Sequence, residues 1–153
     1  MVTLNSLRLS HTLAMRLPAL PEAVFPLLCP VREAEWLRGW EARMVYSVSG
    51  VAEPGCVFTT PGLWGPEWVW VISRHEPAQA VQFIIHAPGS HVTVLDIRME
   101  ADPAGTRADW TYTLTALDPG QEASHRGYMA GTQKRLLDLE NRLVHFLRSG
   151  DCL

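Results

Sequence analysis

The stretch HVTVLDIRMEADPAGTRADWTYTLT, residues 91–115, alternates apolar and polar side chains twice, with a turn between the two runs. In the first run Thr93, Leu95, Ile97 and Met99 share one side, and Asp96, Arg98 and Glu100 share the other. In the second, Ala108, Trp110, Tyr112 and Leu114 oppose Arg107, Asp109, Thr111 and Thr113. A period of two marks a strand with one wet face and one covered face. The Asp102-Pro103-Ala104-Gly105 turn joins the runs as an antiparallel hairpin. Something must therefore cover one side of the sheet.

The covering element follows at once. Beyond Asp118-Pro119-Gly120 the period becomes 3.6, and Met129, Thr132, Leu136, Leu139, Leu143 and Phe146 form a stripe along one long helix. Leu137, Val144 and Leu147 widen that stripe beyond a coiled-coil seam. Upstream, short runs rich in Val, Ile, Thr, Trp and Tyr predict strands at 43–49, 56–60, 67–76 and 80–86, ahead of 91–101 and 106–115. Their spacing leaves no room for crossover helices, so the sheet is a meander. The run from Glu67 to Ile72 is apolar on both faces, so the domain or a second subunit would cover part of its outer face; a homodimer stays open.

Nearer the start, Leu7 to Leu17 alternates as one more half-buried strand. Pro21 suits the first residue of a short helix through Leu28, and Pro30 precedes a second short helix, Val31 to Trp40. The whole reads as one α+β domain spanning residues 1–153, with a curved antiparallel sheet around a long C-terminal helix.

Composition narrows the function. A net charge of −3 with both signs scattered excludes the concentrated basic surface of a nucleic-acid binder. No apolar run reaches the ~18 residues of a membrane span, and no secretory leader pattern opens the chain. Cys29, Cys56 and Cys152 are odd in number and widely spaced, against a disulfide framework and in favour of a reducing, cytoplasmic setting. Six tryptophans in a chain with only 19% charged residues supply rings of the kind that line cores or small-molecule pockets.

The order strand, two short helices, meander, long helix is the helix-grip arrangement. The segment PEAVFPLLCPVREAEWLRGW, residues 21–40, resembles the early region of the SRPBCC superfamily, which includes START lipid-transfer domains, polyketide cyclases and birch-pollen-allergen-like proteins. That resemblance implies a seven-stranded antiparallel sheet gripping the last helix, with a hydrophobic cavity between. It implies no single reaction, so function must come from this protein's own pocket. The glycine-rich loop of the plant allergen branch is absent; Gly50 and Gly55 have phosphate-loop spacing, but Cys56-Val57 stands where Lys-Ser/Thr would contact phosphate.

With the covered face concave, the expected ligand-binding residues are His11, Trp64, Trp70, Phe83, Leu95, Ile97, Trp110, Tyr112, Met129 and Gln133. His11 offers a base with an ordinary pKa of about 6.5, and Tyr112 a donor for a ligand carbonyl. His75, His86 and His91 match no metal-ligand spacing and read as exposed loop histidines; no metal or cofactor is expected. Glu33 and Glu35 lie on nearly opposite sides of a helix, which excludes a simple carboxylate pair. Gly127 and Gly131 loosen the start of the long helix, opposite an apolar loop tip at Trp64 that would cap the entrance. The leading expectation is a binder of a hydrophobic or aromatic metabolite or lipid. The alternatives are a cyclase- or aromatase-type enzyme using His11 and Tyr112, and a protein-interaction domain resembling chaperone-ATPase activators.

Overall fold

The computed structural model describes residues 6–63 and 65–153. Strand β1 (Arg8–Leu17) leads into helix α1 (Pro21–Val24), followed by 3₁₀ turns at Phe25–Leu28 and Arg32–Glu35. Then come β2 (Arg43–Tyr46), β3 (Val57–Thr60), β4 (Trp68–Glu76), β5 (Ala80–Ala87), β6 (His91–Asp102) and β7 (Gly105–Ala116). A 3₁₀ turn at Pro119–Gln121 opens α2 (Glu122–Ala130), and α3 (Thr132–Ser149) follows. The seven strands form one antiparallel sheet in the order β1-β7-β6-β5-β4-β3-β2.

The β6–β7 hairpin has the register its alternation predicts. Leu95 pairs with Tyr112 and Ile97 with Trp110 on the covered face, while Arg98 pairs with Asp109 on the outer face. There Arg98 bonds Asp96 at 2.8 Å and Arg107 bonds Asp109 at 3.0 Å. Gly105 matters to this hairpin because its φ of +137° brings the turn against the chain leaving β1, where a Cβ would stand 2.4 Å from the Leu17 carbonyl oxygen. Thr106 seals the same contact by donating its hydroxyl to the Ala19 carbonyl at 2.6 Å.

Three expected elements are altered. The helix from Pro21 tightens to 3₁₀ at Phe25–Leu28, because Pro26 has no N–H for an α ladder. The second helix shrinks to the single turn Arg32–Glu35; beyond it Trp36 donates its indole N–H to the Leu27 carbonyl at 2.9 Å, and Trp40 donates to the Pro30 carbonyl at 2.8 Å. These side-chain anchors hold the segment where a helical ladder is missing. Strand β2 stops at Tyr46 because the Glu53 carboxylate accepts the Val48 and Ser49 N–H groups and Ser47 accepts that of Gly50, turning the chain into a loop.

The long helix is also divided. Gly131 separates α2 from α3, and its N–H bonds back to Tyr128 and Met129 carbonyls. Thr132, Leu136 and Leu143 of α3 are buried, and α3 packs across β1. Met15, Leu17, Phe58, Ile72, Ile97 and Leu143 belong to the core between sheet and helices. Among the described residues no helix is long and apolar enough to cross a membrane.

Candidate functional site

The core is not solid. A cavity of about 190 Å³ lies between the concave face and the helices. Its sheet wall comes from alternate residues of four neighbouring strands: Trp68 and Trp70 of β4, Phe83 and Ile85 of β5, Thr93, Leu95 and Ile97 of β6, and Trp110 and Tyr112 of β7. Its helical wall comes from Glu33, Trp36, Leu37 and Trp40 of the early segment, Tyr128 of α2, and Arg135 and Leu139 of α3. Trp70 stacks on Phe58 at 5.3 Å and meets Phe83 and Trp40 edge to face at 5.8 and 5.9 Å. Rings interlocked in this way cannot rotate to fill the remaining space.

The polar groups of this wall divide into two sets. Trp36, Trp40 and Trp70 each place the indole N–H on a protein acceptor, the last on the Thr60 hydroxyl at 2.9 Å. Trp110 does not: its Nε1 is buried with no hydrogen-bond partner among the described residues. The Glu33 carboxyl is likewise without a hydrogen bond or counter-charge there, and burial alone pushes its pKa up to about 8. Burial also drives the Tyr112 hydroxyl well above the ordinary tyrosine range, with Tyr128 and Glu33 adding to the effect and Arg135 opposing it. At the rim the Arg135 guanidinium bonds the Tyr128 carbonyl at 2.7 Å and the Thr132 hydroxyl at 3.1 Å, with its carbon 4.0 Å from the Tyr128 ring centroid.

Six of the ten expected ligand-binding residues line the cavity: Trp70, Phe83, Leu95, Ile97, Trp110 and Tyr112. His11 is exposed on the edge strand β1, although it pairs with Tyr112, because α3 crosses β1 nearer Leu13. Gln133 is exposed and borders a shallow groove between α3 and β1, while Met129 is buried outside the cavity. Trp64 lies outside the described residues. Alternation could not have found Glu33, which sits on a turn too short to have a face.

The histidine expectation needs correction. His86 is exposed, but His91 is fully buried: its strand position carries it inward, where α2 covers it. His75 packs edge-on against Phe25 at 5.1 Å, at the other end of β4 from Val69, the partner of His86; six residues of strand put it roughly 20 Å away. The three imidazoles do not converge. Instead the Ser90 hydroxyl bridges His91 Nδ1 at 2.9 Å and His125 Nε2 at 3.1 Å. Burial, and then the neighbouring His125 and His86, hold the pKa of His91 down at about 4. This bridge pins α2 to β6.

A second crevice, of about 270 Å³, lies between the Phe25–Leu28 turn and residues Val51 and Ala52. It is larger, and two of its polar groups are engaged: Arg32 is paired with Glu35 at 2.9 Å and the Cys29 sulfur accepts the Ala52 N–H at 3.3 Å, while His75 also borders it. The inner cavity is the candidate site because unpaired polar groups gather there.

The loose turn expected near the cavity mouth has a physical form, the break at Gly131. A Cβ at Gly127 would meet nothing within 4 Å, whereas one at Gly131 would stand 2.8 Å from Arg135 Nη1. Gly127→Ala should therefore raise stability by up to about 1 kcal/mol through helix propensity alone. Thermal melts would show it as a higher Tm, and a lowered Tm would mean that α2 needs the glycine for another reason.

Sheet, helices and cavity together define a helix-grip protein with an aromatic-lined interior. No protein-family model and no curated protein sequence matches the chain. Solved structures do. An uncharacterised protein from Rhizobium leguminosarum superposes with a TM-score of 0.69 at 16% identity, over 91% of this chain and 96% of that one. CalU16 from Micromonospora echinospora gives 0.64 at 18% identity, over 91% and 74%. Ara h 8.0201 gives 0.62 at 14% identity, over 90% and 98%. At these identities the likeness establishes the fold alone.

Proposed function

We propose that this protein binds a small, mainly apolar aromatic molecule in the cavity between sheet and helices. The observation that carries the reading is an aromatic-walled space left open inside an otherwise close-packed core, with unpaired polar groups on its walls. Size limits the ligand. A volume of about 190 Å³ falls below the ~300–1,000 Å³ of drug-sized sites, and an apolar cavity of roughly 150 Å³ accepts benzene, so one or two rings fit.

Naphthalene followed by saturation-transfer NMR tests the site. Binding should be saturable in the wild type and lost in Leu139→Trp, whose larger ring fills the cavity from α3. Unchanged binding in a folded Leu139→Trp variant would place the site elsewhere. Native mass spectrometry of freshly purified protein would then report whether a natural ligand accompanies it.

A second reading, proton-transfer catalysis of the cyclase type, is favoured by one observation: Glu33 carries a pKa of about 8 inside the cavity, in the range a general acid–base group needs. His11, exposed on β1, has no part in that reading. The interaction-domain alternative has less support, since its natural counterpart would be a filled core.

A further inference from the structure

The cavity's polar groups point to the ligand's own chemistry, an inference that rests on the binding reading above. Glu33 has no cation beside it: among the described residues Arg135 makes no ion pair with it and spends its guanidinium on Tyr128 and Thr132. Glu33 is half-buried, and its carboxyl borders this aromatic-walled space with no counter-charge, which favours the neutral acid and its O–H. Tyr112 presents a second O–H to the same space and has no hydrogen-bond acceptor among the described residues. Trp110, next but one along β7, keeps an indole N–H that can only donate. Arg135 at the rim is donor-only as well. The protein has thus satisfied Trp36, Trp40 and Trp70 internally and left the donors of Glu33, Tyr112 and Trp110 unpaired around one small space.

We propose that the ligand is a one- or two-ring aromatic compound whose carbonyl oxygen accepts hydrogen bonds from Glu33 and Tyr112. A hydrocarbon would leave both donors unpaired. An amine would need an ionised Glu33 and would approach the Arg135 charge.

Three probes of one shape separate these cases: 1-tetralone, tetralin and 1-aminotetralin, titrated calorimetrically at pH 6.5. The ketone should bind about ten times more tightly than the hydrocarbon, with the amine weakest. Glu33→Gln should keep the ketone preference, because the amide still donates, whereas Glu33→Leu and Tyr112→Phe should each reduce it several-fold. Raising the pH through about 8 ionises Glu33 and should weaken ketone binding in the wild type but not in Glu33→Gln. The other titratable groups lining the space, Tyr112, Tyr128 and Arg135, belong to both proteins and cancel in that comparison. Equal binding of tetralone and tetralin, or preference for the amine, would overturn this inference and leave the binding site intact. Failure of all three probes to bind would overturn both.

Discussion

Replacing Leu143 with alanine should cost the domain about 2 to 5 kcal/mol, the range measured when a buried leucine side chain is deleted from a close-packed core. Leu143 is fully buried on α3, so the lost methyl groups leave a void that the sheet cannot close. Leu139, one turn earlier, is only half-buried and already faces the cavity. Leu139→Ala should therefore cost clearly less than Leu143→Ala while enlarging the binding space. Urea melts of the two variants side by side would check this. A Leu143 loss below about 0.5 kcal/mol would mean that the helix is not gripped along this stripe, whereas equal losses would mean that the cavity beside Leu139 is closed in solution.

Stability should also respond to pH through the buried His91 and the half-buried Glu33, which act in opposite directions. His91 titrates near 4 when folded and near 6.5 when unfolded, so between those values the unfolded chain holds the extra proton and acid favours unfolding. At about 1.4 kcal/mol per pH unit, acidification from 6.5 to 4 removes up to about 3 kcal/mol. Glu33 behaves conversely: its folded pKa is raised from 4.5 to about 8, so its contribution is complete below 4.5 and is lost as pH rises through 8. Between pH 4.5 and 6.5 the two slopes largely cancel. From 6.5 to 8 only Glu33 titrates of this pair, and the wild type should lose up to about 2 kcal/mol. Glu33→Gln should remove the alkaline loss and expose the full acid loss of His91; His91→Gln should leave the Glu33 slope unopposed, so that stability rises as pH falls from 8 to 4.5. Urea melts from pH 4 to 9 give these slopes directly, and parallel wild-type and Glu33→Gln curves between 6.5 and 8 would show that the carboxyl is solvated.

The sequence by itself determined the architecture. Where one residue type recurs at a fixed period, as in β6, β7 and α3, burial of one face leaves a single register, and short connections order β2 to β7, whereas the place of β1 beside β7 is set by tertiary packing. Alternation likewise assigned Trp70, Phe83, Leu95, Ile97, Trp110 and Tyr112 to the concave face, because neighbours two apart on a strand must point the same way. Only the tertiary structure decided what surrounds them. His11 obeys the same alternation yet stays exposed, because coverage depends on where α3 crosses an edge strand. His91 reads as a turn flank in the chain but is buried once α2 lies over it and Ser90 joins it to His125. Glu33 belongs to a turn with no periodicity, and its environment is assembled from strands and helices that lie from Trp68 to Leu139 in sequence. Periodicity records which face of an element is covered; whether a polar group finds a partner there is set by packing between distant segments, and that is where the candidate chemistry of this cavity lies.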